Sequence, residues 1–581
     1  MTFVKNIFSS LLGFFLALFL LTILFVGVGV AVSSDDKVTL EENSVLKIVL
    51  DTEVKDYTGT GMDPLTKIFG GFDREVGLDV LIASLDKASK DSKIKGISIE
   101  LKNPNIGITQ LATLREAISE FKKSGKFVSA YANTYSQKNY YLTTVADSLF
   151  LNPIGNVEFK GLAAEVLFFK DFQDKFGVKM EVIRHGKYKS AVEPFLNNTM
   201  SASNRKQMES MVHSIWSSIV DEVSESRGLT VAQLNAIADG ALGRTAKLSK
   251  EHNLVDALVY KDEYDAKLKT QLGTKKLASI SLIDYLKLDL NLPSLEVKNQ
   301  VAIIYAQGKI VDEKGGKNFI SPGLFVKAID KARLDDKVKA VVLRINSPGG
   351  SAMASEIIWR ALELLKKEKP LVVSMGDYAA SGGYYIASNA SRIFANKSTI
   401  TGSIGVFGMF PNVSALSEEI GVHAETVATN SSPSYSPFLP IDSKFYELTK
   451  ESVDEVYTTF LNRVSEGRNM TVEEVHELAQ GRVWTGKQAL ENGLVDVIGS
   501  LDEAVKYAAA TADIENYDVL KLPKYEEELM DALGSVPFAS LKEHLVEELV
   551  GEEHFEMFNR LNSLKGRTGI QMGMPYLIDI K

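Results

Sequence analysis

The sequence predicts an α/β protein: two tandem copies of one unit, each built from βαβ crossovers around a mostly parallel sheet, after an N-terminal transmembrane helix. Three observations predict it. A long uncharged apolar run opens the chain, and a stretch of 70 residues recurs later without a gap. Inside each copy, short apolar runs alternate with amphipathic ones.

The apolar run comes first. Residues Ile7 to Ser34 carry no charged side chain, and Ile7 to Val32 are almost wholly apolar. About 20 such residues span a bilayer, whereas the apolar region of a cleavable signal is about 7–15 residues long. The run therefore reads as an uncleaved anchor. Lys5 and the amino terminus flank one side, Asp35 and Asp36 the other, so the positive-inside rule leaves the short amino end in the cytoplasm and the remaining chain outside it.

The repeat follows. Ser84–Pro153 lies over Ala328–Lys397 at a constant offset of 244, with 16 identities in 70 positions. Asp86-Lys87-Ala88 falls on Asp330-Lys331-Ala332, Lys122-Lys123 on Lys366-Lys367, and Tyr140-Tyr141 on Tyr384-Tyr385. With small gaps the match extends outward, Leu46–Leu50 to Val301–Tyr305 and Leu254-Val255-Asp256 to Leu494-Val495-Asp496. The chain so divides into a stub and anchor (1–35), a first copy (36–295), a second copy (296–512) and an extension without a partner (513–581). Two copies are too few for a solenoid.

Within the copies, Gly96–Leu101 and Ala340–Ile345 read as buried strands. Leu111–Lys122 and Ser355–Lys367 read as amphipathic helices closed by Gly125 and Pro370. Strand and helix in alternation imply βαβ crossovers and a largely parallel sheet. Met208–Val223 and Ser452–Val464 read as long covering helices. Leu65–Phe72 and Gly315–Phe325 read as irregular loops, Tyr525–Glu528 as a solvated helix face and Thr568–Lys581 as a loose tail.

Composition narrows the function. With 581 residues, 45% of them apolar, there is ample material for a core. A net charge of −10 leaves no basic excess for nucleic acid. The absence of cysteine excludes disulfides, thiolate catalysis and Cys-based zinc sites. No cofactor and no metal are expected.

The differences between the copies point to chemistry. Ala379-Ala380-Ser381-Gly382-Gly383 reads as a strand that turns sharply into a helix with a serine at the turn, and Ser381 falls opposite Gln137. Gly382 and Gly383 face Lys138 and Asn139, and Asn346-Ser347-Pro348-Gly349-Gly350 faces Lys102–Ile106. If the glycines served packing alone, the first copy would need them too. A serine nucleophile needs a base. No Gly-x-Ser-x-Gly elbow occurs, and His185 reads as a solvated loop residue. The first copy holds Lys187 and Lys189 where the second, around Thr429–Ser434, has no lysine. A site split between the copies follows, with one of the two lysines as base. Lysine can act so only when neutral, which burial achieves by lowering its pKa from about 10.4. The amides of Gly382 and of Gly349 or Gly350 suit an oxyanion.

These residues resemble a known family. Asn346–Gly350, Ala379–Tyr384, Thr401-Gly402-Ser403-Ile404-Gly405 and Gly186–Phe195 are similar to the motifs of the protease IV type of signal peptide peptidases, peptidase family S49, in its long two-copy form, over nearly the whole chain. The resemblance implies a ClpP/crotonase-like fold in each copy and a membrane-anchored homo-oligomer, tetrameric in this form. It implies a Ser/Lys dyad with Ser381 as nucleophile, Lys189 as general base and Ser403 orienting the lysine. The implied substrates are released signal peptides, at the outer side of a bacterial inner membrane. Two rivals stand beside it: an acyl-CoA enzyme of the crotonase type, whose catalytic carboxylates are not evident, and a non-catalytic membrane scaffold, which would not need the intact serine and lysine.

Overall fold

The first copy forms a six-stranded sheet, and the second copy repeats its strand order. The computed structural model describes residues 13–17, 20, 39–59, 75–102, 104–288, 298–312, 316–431, 434–525 and 569–574. In the first sheet, strands Ala257–Leu258, Ser148–Leu151, Phe127–Ala132, Ile94–Ile99, Ser44–Ile48 and Ser279–Ser281 lie side by side, all parallel. In the second, Val497–Ile498, Arg392–Ala395, Leu371–Ala380, Val338–Ser347, Gln300–Gln307 and Asp518–Leu522 take the same places, also parallel. Ile400–Gly402 and then Val483–Thr485 extend it sideways along the last three residues of the long strand Leu371–Ala380.

The repeated residues explain themselves structurally. Tyr140 Oη donates to the Leu254 carbonyl at 2.9 Å and Tyr384 Oη to that of Leu494 at 2.8 Å. Asp256 accepts from Leu149 N, and Asp496 from Ile393 N, both at 2.7 Å. Each pair ties the turn helix to the sheet edge, so both copies need these residues whatever else they do.

The helices obey the offset as well. Leu78–Lys90 and Ile108–Lys122 have counterparts in Pro322–Leu334 and Ala352–Lys366, each shifted by 244. Ile358, Ala361, Leu362 and Leu365 bury one face of Ala352–Lys366. The helices begin three residues before the apolar periodicity does, because Ser351 Oγ accepts from Ala354 N and Gln110 reaches back to Gly107 N. Ala202–Arg227 and Ser443–Arg468, 26 residues each, contain the expected covering helices.

A third sheet joins the copies. Its strands run Phe319–Ile320, Lys309–Ile310, Gly349–Ser351, Gly569–Gly573, Val406–Asn412 and Lys179–His185. Lys179–His185 of the first copy pairs antiparallel with Val406–Asn412 of the second over seven residues. The cores interpenetrate accordingly: Ala380, Ile400 and Val483 pack into the first copy's core and Ile183 into the second's.

Several sequence expectations change here. Gly315–Phe325 is not irregular throughout, since Phe319–Ile320 is a strand and a helix starts at Pro322, whose fixed φ suits the first turn. Thr568–Lys581 is not simply loose: Gly569–Gly573 is a strand held on both sides. Asp518–Leu522, beyond the last match between the copies, completes the second sheet. Residues 7–12, 18, 19 and 21–32 of the anchor, Leu65–Phe72 and Glu526–Glu528 lie outside the described residues. Among the described residues no helix is long and apolar enough to cross a membrane.

Candidate active site

Strand Leu371–Ala380 ends at Ser381, whose φ of 56° and ψ of −115° turn the chain into helix Gly382–Ala387. A positive φ on a side-chain-bearing residue costs about 1–3 kcal/mol and persists only where its surroundings impose it. They do so here: Ser381 N donates to the Gly402 carbonyl and its own carbonyl accepts from Tyr385 N, both at 2.8 Å. The glycines that follow are required sterically. A Cβ on Gly382 would fall 2.7 Å from Ser355 Oγ, and one on Gly383 2.8 Å from the Ser347 carbonyl oxygen.

The first copy uses the same positions for structure. Gln137 bridges Lys160 N, Gly161 N and the Gly161 carbonyl, at 2.8–3.0 Å. Asn139, opposite Gly383, donates to the Lys102 carbonyl at 2.6 Å. The loop is tied shut where the second copy leaves a hydroxyl.

Lys189 reaches that hydroxyl from the first copy. Strand Lys179–His185 delivers the loop, and Tyr188 N donates to the Gln480 carbonyl at 2.9 Å. The side chain runs between Gly405 and Gly481. Its Nζ lies 2.9 Å from Ser381 Oγ, 3.0 Å from the Ser403 carbonyl and 3.1 Å from Ser403 Oγ. Lys189, Ser381 and Ser403 are all 0% exposed. Burial pushes the Lys189 amine well below its ordinary value, with no carboxylate opposing it. A neutral amine at this distance can take the serine proton as the oxygen attacks a carbonyl.

The other expected residues sort plainly. Lys187 is exposed and lies over the Tyr188 ring, away from Ser381. His185 bonds Asp454 at 2.6 Å and stacks on Tyr457. Gly349 and Gly350, at φ of 91° and 157°, form a short strand beside the serine turn. Gly349 N donates to Ser347 Oγ at 3.2 Å, while Gly350 pairs with Met572 across the ladder. The Met572 carbonyl oxygen lies 2.2 Å from where a Cβ on Gly349 would stand and 3.2 Å from one on Gly382. A strand in this slot thus sets a carbonyl against both glycines. Among the described residues no group of three or more His, Asp or Glu could hold a metal ion.

Sequence reasoning missed Gly481, an isolated glycine without a motif. At φ of +81° it passes so close that a Cβ would fall 2.6 Å from the Lys189 backbone. Gly481→Ala is expected to displace Lys189 and lower kcat by about 100-fold, since misplacement by about 1 Å costs that much. Steady-state kinetics on the folded variant checks it.

The family model described as peptidase family S49 matches residues 120–275 and 363–515, once in each copy. A relative named "Protease 4" from Haemophilus influenzae is 39% identical over 78% of this chain and 76% of its own. One of the same name from Salmonella typhi is 35% identical over 90% of this chain and 88% of its own. "Serine protease SPPA, chloroplastic" from Arabidopsis thaliana is 32% identical over 86% of this chain and 74% of its own.

Proposed function

Since the chain belongs to peptidase family S49 and is a serine peptidase, we propose that it cuts peptide bonds through an acyl-enzyme on Ser381, with Lys189 as general base. The observation that carries this is the buried lysine of one copy set 2.9 Å from the serine of the other. Lys189 takes the Oγ proton as Ser381 attacks the scissile carbonyl. The amides of Gly350 and Gly382 hold the oxyanion, with Gly349 shaping the turn between them. The lysine proton then passes to the leaving amine, and water releases the acyl group by the same path in reverse. Ser403, bonded to Nζ through both its oxygens, orients the amine.

The substrate in this reading is an extended, apolar peptide such as the remnant of a signal sequence. The chain's own strand Gly569–Gly573 supports it, lying antiparallel between Gly349–Ser351 and Phe407–Met409 with Met572 and Met574 buried. We further infer a ClpP/crotonase-like fold in each copy and a homo-tetramer. Ile7–Val32 would hold this assembly on the outer face of a bacterial inner membrane. A synthetic peptide with an apolar core, incubated with purified protein and followed by mass spectrometry, tests the activity. Internal cuts within the apolar stretch are expected, and an uncut peptide contradicts it.

A substrate strand and Gly569–Gly573 cannot occupy one slot together. A chain ending at Arg567 is therefore expected to show a several-fold higher kcat/KM for peptides. A lower value in a variant of unchanged melting temperature would show that the strand is part of the working site.

A further inference from the structure

Beneath the serine turn lies a buried polar cluster that the dyad chemistry does not use. Arg344, 5% exposed, lies on strand Val338–Ser347, whose end runs directly into Gly349 and Gly350. Its Nε donates to Asp56 Oδ2 at 2.7 Å, and its Nη1 to Ser374 Oγ and the Met375 carbonyl at 2.9 Å. Asp56, 4% exposed, comes from the first copy, and its Oδ1 also accepts from Gln110 Nε2 at 2.8 Å and Asn346 Nδ2 at 3.3 Å. Asn346 in turn accepts from Tyr378 N at 3.2 Å, which ties the glycine strand to the serine strand.

The exchange runs both ways. Asp377, four residues before Ser381, accepts from Thr109 N at 2.8 Å and so caps helix Ile108–Lys122 of the first copy. That helix has given up a cap of its own. Its N-cap is Gly107, where the counterpart at the same offset is Ser351, which caps its helix itself. A Cβ on Gly107 would stand 2.0 Å from Asp377 Oδ2, so the glycine clears the space the carboxylate occupies.

Arg344, Asn346 and Asp377 are not duplicated. At the offset of 244, Arg344 faces Glu100, Asn346 faces Lys102 and Asp377 faces Asn133. The asymmetry is the one that separates Ser381 from Gln137. Stability does not account for it, because a buried ion pair is on average no more stabilising than apolar residues of like volume. Burial, followed by the neighbouring Asp56, also raises the Asp377 carboxyl, so holding charge here is costly.

We propose that Asp56 and Asp377 are positioning residues, one given by each copy, which lock the serine and glycine strands against the lysine-bearing copy. The proposal rests on Ser381 being the nucleophile. Lys189 arrives through the joining sheet, and Asp56 and Asp377 hold the glycine and serine strands against the first copy through separate contacts. The dyad distance is then set by both sets of contacts.

The test compares Asp377→Ala with the paired replacement Asp56→Leu/Arg344→Met in the full chain. Both are expected to keep melting temperatures within a few degrees, since one removes a single helix cap and the other replaces the pair as a unit. Their kcat for a peptide substrate is expected to fall about 10–100-fold with KM within twofold. The labelling rate of Ser381 by a fluorophosphonate, mapped by mass spectrometry, should fall in parallel. Wild-type kcat in either folded variant overturns the proposal. If the paired variant does not fold, Asp377→Ala decides alone. Absence of label on Ser381 in the wild type would remove the nucleophile assignment, and this proposal with it.

Discussion

Ser381→Ala is expected to lower kcat for peptide hydrolysis on the order of 10⁶-fold, the scale at which loss of the nucleophile silences a serine hydrolase. The fold should survive. Ser381 Oγ is no helix cap, and the bonds that impose its backbone angles run through its own N–H and carbonyl. Alanine meets the same positive φ without added volume. Its one lost contact is with Lys189 Nζ, which keeps both oxygens of Ser403. A melting temperature near that of the wild type, alongside absent cleavage, is the expected pair of results.

Lys189→Met is expected to cost about 10²–10⁴-fold in kcat, the usual range for a positioned general base. Lys189→Arg should fail as badly, because a guanidinium stays charged and cannot accept the proton. Activity retained by the arginine variant would indicate a fixed positive charge instead of a base. Stability gives a second readout. The native amine is held well below 10.5 by burial, while the unfolded chain titrates near the ordinary value. Between the two, the unfolded state binds the extra proton, so stability rises with pH across that window. The burial penalty is absent above the unfolded value and full below the native one. Chemical denaturation from neutral pH to about 10 should show this slope in the wild type and its loss in Lys189→Met.

Much of the site was legible because the chain carries its own reference copy. The offset of 244 places Tyr140 on Tyr384, and the structure gives both the same partner, so shared residues mark packing. Against that background Ser381 opposite Gln137 marks chemistry, and lysines confined to the other copy direct attention to a split site. Choosing Lys189 over Lys187 needed the family motif. In the structure the choice is physical: one lysine is sealed between two glycines, the other lies in solvent.

What escaped sequence reading depends on contacts between distant segments. Gly569–Gly573 is five residues long, too short for a periodicity signal, and forms a strand because two edges receive it. Asp56 and Arg344 are single charges 288 residues apart, without a motif. Gly107 carries no motif, and its role comes from Asp377 of the other copy, which fills its space.

The most direct test of the account is the pH dependence of Ser381 acylation. Fluorophosphonate is allowed to react with the full chain across neutral to alkaline pH, and the modified residue is mapped by mass spectrometry. The account predicts a single labelled residue, Ser381, a rate that rises with pH and levels off well below 10.5, and labelling at least about 100-fold slower in Lys189→Met. Label on another residue, or equal labelling rates in wild type and Lys189→Met, would contradict it.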